Sequence, residues 1–399
     1  MQFAFAIMNL FPGGGLQRDC VDIARRVQQR GHAVTIFTSR NAGGIAEDLS
    51  VRILPVAGYT NHGRQRSFSE VFVKTVSGRF DLLVGFDKLG GLDLLYCSDR
   101  SMRARASRNP LLHLLPRYRG YMSLEKECFA PHHATEILLL AESQLDEYWN
   151  AWRTEPSRLV MLPPTLALAR RKPEYRANGV RVDWRKRLDL RPDDWVWIAT
   201  CVQPVTKGTD RIVRALRHFP DAHLLVVGLG GDETKSAKTR QLAKELRVAD
   251  RIKWLGHHED VPELLAAADI FVHPARYDTT GTVILEAIVN GLPVITTSNC
   301  GYAKHVTSAN AGIVVQEPFR PQTFLAALEI ARDPACRQRW SGSGREYGKQ
   351  TSLYEGRTRA TELIVASGFR HASDERRRIE RGRSDRIAPM DPRMSAAAR

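Results

Sequence analysis

The sequence predicts an α/β protein made of two parallel-sheet domains that face each other across a cleft. The length of 399 residues suits two domains, at roughly 100 to 200 residues each. Both halves alternate short apolar segments of strand length with helical patterns, which is typical of parallel sheets with right-handed crossovers. A polar, basic, proline-bearing stretch at residues 163–193 separates the halves, and we interpret it as a linker or hinge.

The first half opens with a strand, a glycine-rich loop and a helix. Residues 3–8 (FAFAIM) form an apolar run of buried-strand length. A helix is predicted next, because one face of a 3.6-residue repeat is apolar: Leu16, Cys20, Ile23, Ala24 and Val27. Gly31 is a natural stop for this helix. The segments HAVTIFT and FDLLVGFD are then predicted as further buried strands.

The second half repeats the pattern, with five predicted strands separated by helices. The strands are predicted at WVWIATC, AHLLVVGLG, IKWLG, DIFVHP and LPVITT. We therefore predict domains at 1–170 and 171–350, followed by a C-terminal helix at 351–367. The segment 368–399 is rich in arginine and has few large apolar residues, so it is predicted to be a disordered basic tail.

Composition limits the partners and the compartment. The net charge of +15 calls for an acidic partner, which could be nucleic acid, anionic lipid or a phosphorylated substrate. The six cysteines form no CxxC pair, which favours reduced cytosolic thiols over disulfides or a zinc site. We find no signal peptide and no apolar run long enough to span a bilayer, so we expect any membrane contact to be peripheral.

The stretch FPGGGLQRD places three glycines where the first strand meets its helix. Such a turn exposes amide N–H groups at a helix N-terminus and suits an anionic or polyhydroxyl ligand. Tight packing between strand and helix would also explain the glycines. The pattern is not GxGxxG, and the second strand ends in FTSR without the acidic residue that holds an NAD ribose. Arg40 could meet an NADP phosphate, so these residues alone do not exclude a reductase.

The stretch HPARYDTTGTVILEAIVNG in the second half suits a nucleotide sugar. Asp278 lies in a loop, Gly281 opens a helix, and Glu286 falls in its second turn on the same face. A diphosphate fits the backbone amides between the two carboxylates, a ribose diol fits Glu286, and sugar hydroxyls fit Asp278. The amides are those of Thr280, Gly281, Thr282 and Val283.

With these motifs the chain resembles the family 4 retaining glycosyltransferases of the GT-B type. Within that family it is similar to the enzymes that add the first outer-core hexose to a heptose of lipopolysaccharide. The matching motifs run in family order up to about residue 365: FPGGGLQRD, TNHGR, GFDKLGGLD, LPP, KGTDR, HPA, GTVILEAI and CGYA. The resemblance implies two Rossmann-like doubly wound domains.

The resemblance also implies roles for single residues at the donor. Gly14 and Gly15 would lie against the donor sugar or its diphosphate, and Lys207 would pair with the phosphates. Asp278 replaces the glutamate of the family, so the donor hexose could sit differently or be another sugar. Thr206 stands where an arginine of the family commonly helps to hold the diphosphate. We therefore expect Arg211 or the helix amides to stabilise the negative charge of the diphosphate instead.

The expected catalytic set is Asp99, Lys207 and Asp278. The resemblance implies a same-face displacement, in which the leaving diphosphate oxygen accepts the proton of the acceptor while Lys207 and the helix N-terminus stabilise the developing charge. Asp99 would orient an acceptor hydroxyl. No DxD motif or histidine-rich ligand cluster is evident, so we expect no metal and no other cofactor, and His257–His258 is interpreted as a surface turn.

Three further residues are candidates for acceptor binding, each with a simpler alternative. Asp19 lies in the first turn of its helix and could simply complement the helix dipole. His62 and Arg64 could contact an acceptor phosphate or could cap a loop.

Residues 100–121 contain six arginines and no acidic residue, with leucines and tyrosines between them. This composition suits the headgroup region of an anionic leaflet, although an arginine-rich loop folded onto the domain is the alternative. The resemblance implies contact with the cytoplasmic face of the inner membrane. The candidate contacts are Arg103, Arg105, Arg108, Leu111, Leu112, Leu115, Arg117, Tyr118, Arg119 and Tyr121.

These features predict a transferase that moves a hexose, glucose or a related sugar, from a nucleoside diphosphate donor, expected to be UDP, to a heptose of the lipopolysaccharide core. A nucleotide-sugar epimerase on a similar two-domain frame is the alternative. A basic nucleic-acid-binding protein is the third hypothesis, but no helix-turn-helix, RRM or zinc pattern accompanies the charge. The sequence leaves the donor sugar, the linkage and the oligomeric state open.

Overall fold

The computed structural model describes residues 1–107, 109–228 and 233–384. The strands are β1 (Gln2–Ala6), β2 (Asn9–Leu10), β3 (Ala33–Thr38), β4 (Arg40–Asn41), β5 (Ser50–Ile53), β6 (Leu82–Gly85), β7 (Leu94–Cys97), β8 (Glu136–Leu139), β9 (Leu159–Met161), β10 (Trp195–Thr200), β11 (Ala222–Val227), β12 (Ile252–Gly256), β13 (Ile270–His273), β14 (Val294–Thr297) and β15 (Gly312–Val315). The α-helices are α1 (Gly15–Gln29), α2 (Asn61–Val76), α3 (Met102–Ser107), α4 (Pro116–Phe129), α5 (Ser143–Trp152), α6 (Val180–Arg187), α7 (Pro204–Lys207), α8 (Thr209–Leu216), α9 (Glu233–Glu245), α10 (Val261–Ala267), α11 (Thr282–Val289), α12 (Ala303–Ser308), α13 (Pro321–Arg332), α14 (Pro334–Tyr347) and α15 (Gly356–Ser384). Short 3₁₀ helices lie at Pro110–Leu114, Pro156–Arg158, Leu168–Arg170, Pro173–Arg176, Ala249–Arg251 and Thr351–Tyr354.

Two parallel sheets form the two domains. The first has seven strands in the order β5-β3-β1-β6-β7-β8-β9, and the second has six in the order β12-β11-β10-β13-β14-β15. The chain order reverses at β1 in one sheet and at β10 in the other, and open α/β sheets bind ligands beyond the carboxyl ends of strands at such points. The predicted fold class, two doubly wound α/β domains, is confirmed.

The strand β1 shows why the first sheet is buried on both faces. Phe3 and Phe5 point into a core layer shared with α1 and α15. Ala4 and Ala6 point into the opposite layer, which holds side chains of α2, α4 and α5. β10 divides its residues in the same way between two layers of the second domain.

Most of the segment 163–193, predicted as a linker or hinge, is packed onto the second domain, and the crossing between the domains lies at its start, at Pro163 and Pro164. Its arginines bind the carbonyl oxygens at the C-terminal end of α10, which have no partners within that helix. Arg185 donates to Ala267 O at 3.0 Å and to Asp269 Oδ2 at 2.9 Å, and Arg181 donates to Asp269 Oδ1 at 2.6 Å. The polar composition that suggested a linker therefore serves to cap a helix.

The C-terminal helix is longer than predicted and returns to the first domain. A helix was predicted at 351–367 and a disordered tail from 368, but α15 runs from Gly356 to Ser384. Ala360 and Ile364 are buried in the core beside β1, and this packing holds the helix in place. Residues 385–399 lie outside the described residues.

The chain crosses between the domains twice, at adjacent places. One crossing passes Pro163 and Pro164, and the other enters α15 at Gly356. Gly356 N donates to Pro164 O at 3.0 Å, and a Cβ at Gly356 would lie 2.3 Å from Pro163 O. Only glycine fits between the two crossings.

Candidate active site

The loop after β13 and the start of α11 form the centre of the candidate site. Gly281 caps the helix with a φ of 71°, a left-handed conformation that favours glycine. The first amides of α11 have no partners inside the helix and, with the positive end of its dipole, form a site for an anion. Asp278 precedes this helix and Glu286 lies in its second turn, and both side chains are buried.

Asp278 forms a buried cluster with two cations. Lys207 Nζ donates to its Oδ2 at 2.6 Å, and His273 Nε2 lies 2.8 Å from the same oxygen. Burial alone would raise the pKa of Asp278, but His273 and Lys207 outweigh burial and hold it well below its ordinary range. Burial alone would lower the pKa of His273, but its interactions with Asp278 and Cys300 outweigh burial and raise this pKa to about 9. At neutral pH the cluster is therefore an ionised carboxylate between two cations.

Glycine positions the loop that carries Lys207. Gly208 follows α7 with a φ of 71°, and a Cβ there would lie only 2.0 Å from Pro274 O. The loop after β10 therefore packs directly on the loop after β13, and this contact brings Lys207 to Asp278. His273 was not singled out from the sequence; its place at the carboxyl end of a strand, five residues before Asp278, was the available signal.

A cavity of about 540 Å³, here called the Glu286 cavity, lies between the domains. Its lining includes Gly13 and Arg18 of the first domain and Thr282, Val283 and Glu286 of the second. Arg170 Nε lies 2.8 Å from Glu286 Oε1. Burial raises the pKa of Glu286 above its ordinary value, against the opposing effects of Arg170 and Arg18. Three arginines and two carboxylates, Glu259 and Glu286, thus line this cavity.

Three arginines that were not predicted from the sequence line the Glu286 cavity: Arg18, Arg170 and Arg357. Burial lowers the pKa of Arg18, and the positive charge of the nearby Arg170 lowers it further. The two guanidinium groups are therefore close enough to repel each other. Arg211, expected to replace the missing phosphate arginine, lies elsewhere. Its guanidinium stacks over Phe319 at 3.7 Å and donates to Pro274 O, and it lines neither this cavity nor the second one described below.

The glycine-rich loop meets the opposite domain at Gly13. A Cβ on Gly13 would lie 2.6 Å from His257 Cε1, whereas a Cβ on Gly15 would have open space around it. Gly14 caps α1, and neither Gly14 nor Gly15 lines the cavity, unlike Gly13. His257 and His258 lie in the loop after β12, where His257 is exposed, and both line the cavity.

Asp19 has a structural role in place of the predicted contact with acceptor. It is buried, and its two oxygens accept hydrogen bonds from Tyr96 Oη and Arg357 Nε, both at 2.8 Å. Asp19 thereby joins α1 to α15 and holds Arg357 at the Glu286 cavity. Its partner stands 338 residues away in the sequence, so no local pattern could indicate this pair.

A second cavity of about 470 Å³, here called the Asp99 cavity, also lies between the domains. Gln203, Thr206 and Tyr277 of the second domain line it together with first-domain residues that include Asp99. The backbone oxygen of Asp99 accepts from Gln144 Nε2 at 2.8 Å and from Tyr148 Oη at 2.9 Å. Thr206 and Tyr277 directly precede Lys207 and Asp278, so the Asp99 cavity adjoins the buried cluster.

The structure divides the residues predicted to touch a membrane into two groups. Arg105, Arg117, Tyr118 and Tyr121 line the Asp99 cavity. Leu111 and Leu115 are exposed, as is neighbouring Leu114, while Leu112 is only partly exposed. Arg103 stacks over Trp152 at 4.4 Å, and Arg119 is exposed. Arg108 lies outside the described residues.

The buried carboxylate of Glu125 holds this basic segment in place. It accepts from Lys88 Nζ and Met102 N, each at 2.8 Å, and from Trp152 Nε1 at 2.6 Å. Of the other acceptor candidates, His62 lies beside Tyr121, with ring centroids 6.2 Å apart, and Arg64 is exposed on α2. Neither His62 nor Arg64 lines the Asp99 cavity.

Neither a metal-binding cluster nor a membrane-spanning helix is found among the residues that the structure describes. No group of three or more histidine, cysteine, aspartate or glutamate side chains in 1–107, 109–228 and 233–384 is arranged to hold a metal ion. No helix within the same ranges combines the length and apolar character needed to cross a membrane. All six cysteines are free.

Comparison with known proteins extends over both domains. A family model described as glycosyl transferases group 1 matches residues 181–347. The chain is 32% identical over 372 residues to the lipopolysaccharide glucosyltransferase WaaG of Escherichia coli (strain K12), covering 92% of this chain and 99% of that relative. The crystal structure of WaaG, described as a glycosyltransferase involved in lipopolysaccharide biosynthesis, matches with a TM-score of 0.86 over 91% of this chain and 99% of that one.

A more distant relative is named for a GDP-mannose donor and a phosphatidylinositol monomannoside acceptor. A GDP-mannose-dependent phosphatidylinositol monomannoside mannosyltransferase of Mycobacterium tuberculosis is 26% identical over 384 residues, covering 87% of this chain and 94% of that protein. The similarity to WaaG spans both sheets and the cleft between them. The chain therefore belongs to the group 1 glycosyl transferases, as a hexosyltransferase of the retaining family 4 type with the GT-B fold.

Proposed function

We propose that this enzyme transfers a hexose, glucose or a related sugar, from a UDP donor to a heptose of the lipopolysaccharide core. The observation that carries the proposal is the pairing of Asp278 with Lys207 at 2.6 Å beside the N-terminus of α11, with Glu286 farther along the same helix in the adjoining cavity. Similarity to a lipopolysaccharide glucosyltransferase over nearly the whole chain supports the choice of acceptor.

The donor is bound by the second domain and closed in by the first. The amides of Thr280, Gly281, Thr282 and Val283, together with Lys207, hold the diphosphate. Glu286 accepts hydrogen bonds from the ribose hydroxyls. Both contacts of Asp278 fall on Oδ2, so Oδ1 is the oxygen that accepts from the hydroxyls of the sugar. The crowded arginines of the Glu286 cavity add positive charge near the nucleotide.

The transfer proceeds on one face of the sugar. The acceptor hydroxyl attacks the anomeric carbon from the side of the leaving group, and its proton passes to the departing diphosphate oxygen. Lys207 and the N-terminus of α11 stabilise the negative charge that develops there. Asp99 orients the acceptor hydroxyl from the opposite wall of the cleft. Because these groups supply the positive charge, the proposed mechanism needs no metal ion and no other cofactor.

The proposed site of action is the cytoplasmic face of the inner membrane, through peripheral contact. Leu111, Leu114 and Leu115 expose 70%, 71% and 47% of their surface, and the exposed Arg119 follows them on α4. Exposed leucines flanked by arginines suit an anionic leaflet.

The test is turnover with UDP-glucose, UDP-galactose, UDP-N-acetylglucosamine and GDP-mannose against a truncated lipopolysaccharide core. We expect transfer from a UDP-hexose with retention of configuration and without added metal. Lys207→Ala and Glu286→Gln should each lower kcat/KM at least a hundredfold. Lys349→Ala and Glu329→Gln, two exposed positions far from the cleft, are the matched controls and should keep full activity.

Two outcomes would contradict the proposal. Full activity in both cleft variants would remove Lys207 and Glu286 from the site. A donor that is epimerised when incubated alone, with no transfer to the core, would favour the epimerase alternative, for which the family assignment offers no support.

A further inference from the structure

The Asp99 cavity contains more positive charge than its own carboxylates neutralise. Four basic side chains line it: Lys88, Arg100, Arg105 and Arg117. Lys88 pairs with the buried Glu125 at 2.8 Å, and Arg100 pairs with Glu147. Within the described part of the chain, Arg105 and Arg117 have no carboxylate partner. Asp99 is the single acidic residue on the lining. The two unpaired arginines, Arg105 and Arg117, together with Asp99 therefore carry a net charge of +1.

Aromatic rings hold the two unpaired guanidinium groups at the cavity. Arg105 on α3 lies over the ring of Tyr118 at 6.0 Å, and Arg117 on α4 lies over the ring of Tyr121 at 5.9 Å. Stacking on a ring face leaves the N–H groups at the guanidinium edge free to donate. Two guanidinium groups on adjacent helices that open into one cavity can bind the oxygens of a single phosphate or carboxylate.

The remaining lining is that of a saccharide site. Gln65, Gln203 and Thr206 offer neutral hydrogen-bonding groups, and the rings of Tyr118, Tyr121 and Tyr277 offer flat apolar surfaces. The volume of about 470 Å³ lies within the range of ordinary ligand sites. The cavity is therefore suited to a ligand that is both polyhydroxylated and anionic.

We infer that the Asp99 cavity selects an acceptor saccharide that carries a phosphate monoester or a carboxylate, held by Arg105 and Arg117; this rests on the proposed function. Tyr277 and Thr206 adjoin Asp278 and Lys207, so a sugar in this cavity presents its hydroxyl toward the donor. The anionic group is bound on the side away from that hydroxyl, where Arg105 and Arg117 lie on α3 and α4. These two arginines are specificity-determining residues of the acceptor site.

The experiment compares three soluble acceptors that share one heptose: a neutral heptoside, its phosphate monoester and a heptoside extended with a carboxylate-bearing sugar. With the wild-type enzyme and the best UDP-hexose, we expect KM to be ten to a hundred times lower for an anionic acceptor, with little change in kcat, because each charge-assisted hydrogen bond is strong. Comparing the phosphate monoester with the carboxylate-bearing heptoside shows which of the two anionic groups the enzyme prefers.

Variants assign the effect to the two arginines. Arg105→Gln and Arg117→Gln should each reduce the preference for the anionic acceptor, and the double variant should abolish it while still transferring to the neutral heptoside. Lys126→Gln, which removes an exposed positive charge from the same helix as Arg117, is the matched control and should keep the full preference. The three side chains, Arg105, Arg117 and Lys126, are exposed to solvent, and thermal unfolding checks that each variant is folded.

A direct binding measurement separates this inference from the proposed function. Heptose phosphate is titrated without donor into the wild-type and double-variant proteins, and we expect at least tenfold weaker binding to the variant. Equal use of neutral and anionic heptosides by the wild type would overturn the inference and leave the transferase function standing. Absence of transfer to every heptoside would overturn the proposed function, while the titration would still decide the inference.

Binding to an anionic lipid surface is the alternative role of Arg105 and Arg117. The double variant is therefore also tested for co-flotation with phosphatidylglycerol vesicles. Loss of vesicle binding with unchanged acceptor preference would overturn the inference and assign Arg105 and Arg117 to the membrane.

Discussion

The cluster at Asp278 shows how single residues prepare a site for chemistry. A buried histidine normally has a lowered pKa, because burial disfavours the charged form. His273 is almost fully buried, yet its interactions with Asp278 and Cys300 raise its pKa to about 9. The carboxylate is thus fixed in its ionised form, with Lys207 Nζ held 2.6 Å from its Oδ2.

This raised pKa predicts a pH-dependent contribution to stability. The contribution of protonated His273 is fully present below the unfolded value of 6.5 and is lost as pH rises toward about 9. We expect His273→Gln to be less stable than the wild type by about 3 kcal/mol near pH 6, with the difference shrinking as pH rises. Urea unfolding at pH 6, 7.5 and 9 measures this difference. His218→Gln, at an exposed histidine, is the control, and a pH-independent difference for His273→Gln would contradict the prediction.

At the scale of elements, charged side chains bind at the ends of helices, where backbone groups have no partners within the helix. The carboxylate of Asp269, next to α10, accepts from Arg181, Arg185 and the backbone of Val196. The same arginines bind carbonyl oxygens of α10 and so attach α6 to the second domain. This arrangement turns a basic, proline-bearing segment into part of a folded domain.

The attachment of α6 predicts a large loss of stability when one arginine is removed. Arg185→Gln leaves the buried Asp269 with one charged partner fewer and several carbonyl oxygens without a donor. We expect the free energy of unfolding of the second domain to fall by about 2–4 kcal/mol. Lys186→Gln on the exposed face of the same helix should leave it unchanged. Denaturant unfolding followed by the fluorescence of Trp195 and Trp197 measures both variants, and equal stability would contradict the role of Arg185.

Local patterns predicted the elements that carry the site, because those elements depend on local chemistry. The apolar run at residues 3–8 indicated a strand, and the stretch from Asp278 to Glu286 indicated a loop followed by a helix that begins near Gly281. Lys207 came from the family motif, and the structure brings it to Asp278.

Residues whose partners are distant in sequence could not be predicted in this way. Asp19 is paired with Arg357, and Arg211 packs on Phe319; only the fold brings these pairs together. His257 lines the cleft because the first domain presents Gly13 to it. The basic residues at 176–185 looked like a linker because the carbonyl oxygens that they bind belong to a helix about 80 residues further on.

At the scale of the whole molecule, the last helix completes the first domain and the cleft together. Ala360 and Ile364 of α15 fill the core beside β1, and Arg357 of the same helix lines the Glu286 cavity. The second domain thus ends at about Tyr354, and the chain returns to the domain in which it began.

Truncation tests this dual role of α15. A chain that ends at residue 355 loses the side chains that cover Phe3 and its neighbours, so we expect it to unfold at least 10 °C lower or to aggregate, without transferase activity. A chain that ends at residue 373 keeps Ala360, Ile364 and Arg357, and it should match the full-length protein in Tm and kcat/KM. Calorimetry and the transfer assay measure both, and a stable, active chain ending at 355 would contradict this account.

The close passage of Gly356 against Pro163 and Pro164 has a consequence for how the enzyme opens. Two tethers that run side by side act as one broad pivot: they let the lobes swing apart but resist torsion about the long axis of the molecule. Residues of both lobes line each cavity, so one swing would widen the two together, and under the proposed function donor and acceptor would enter in the same movement.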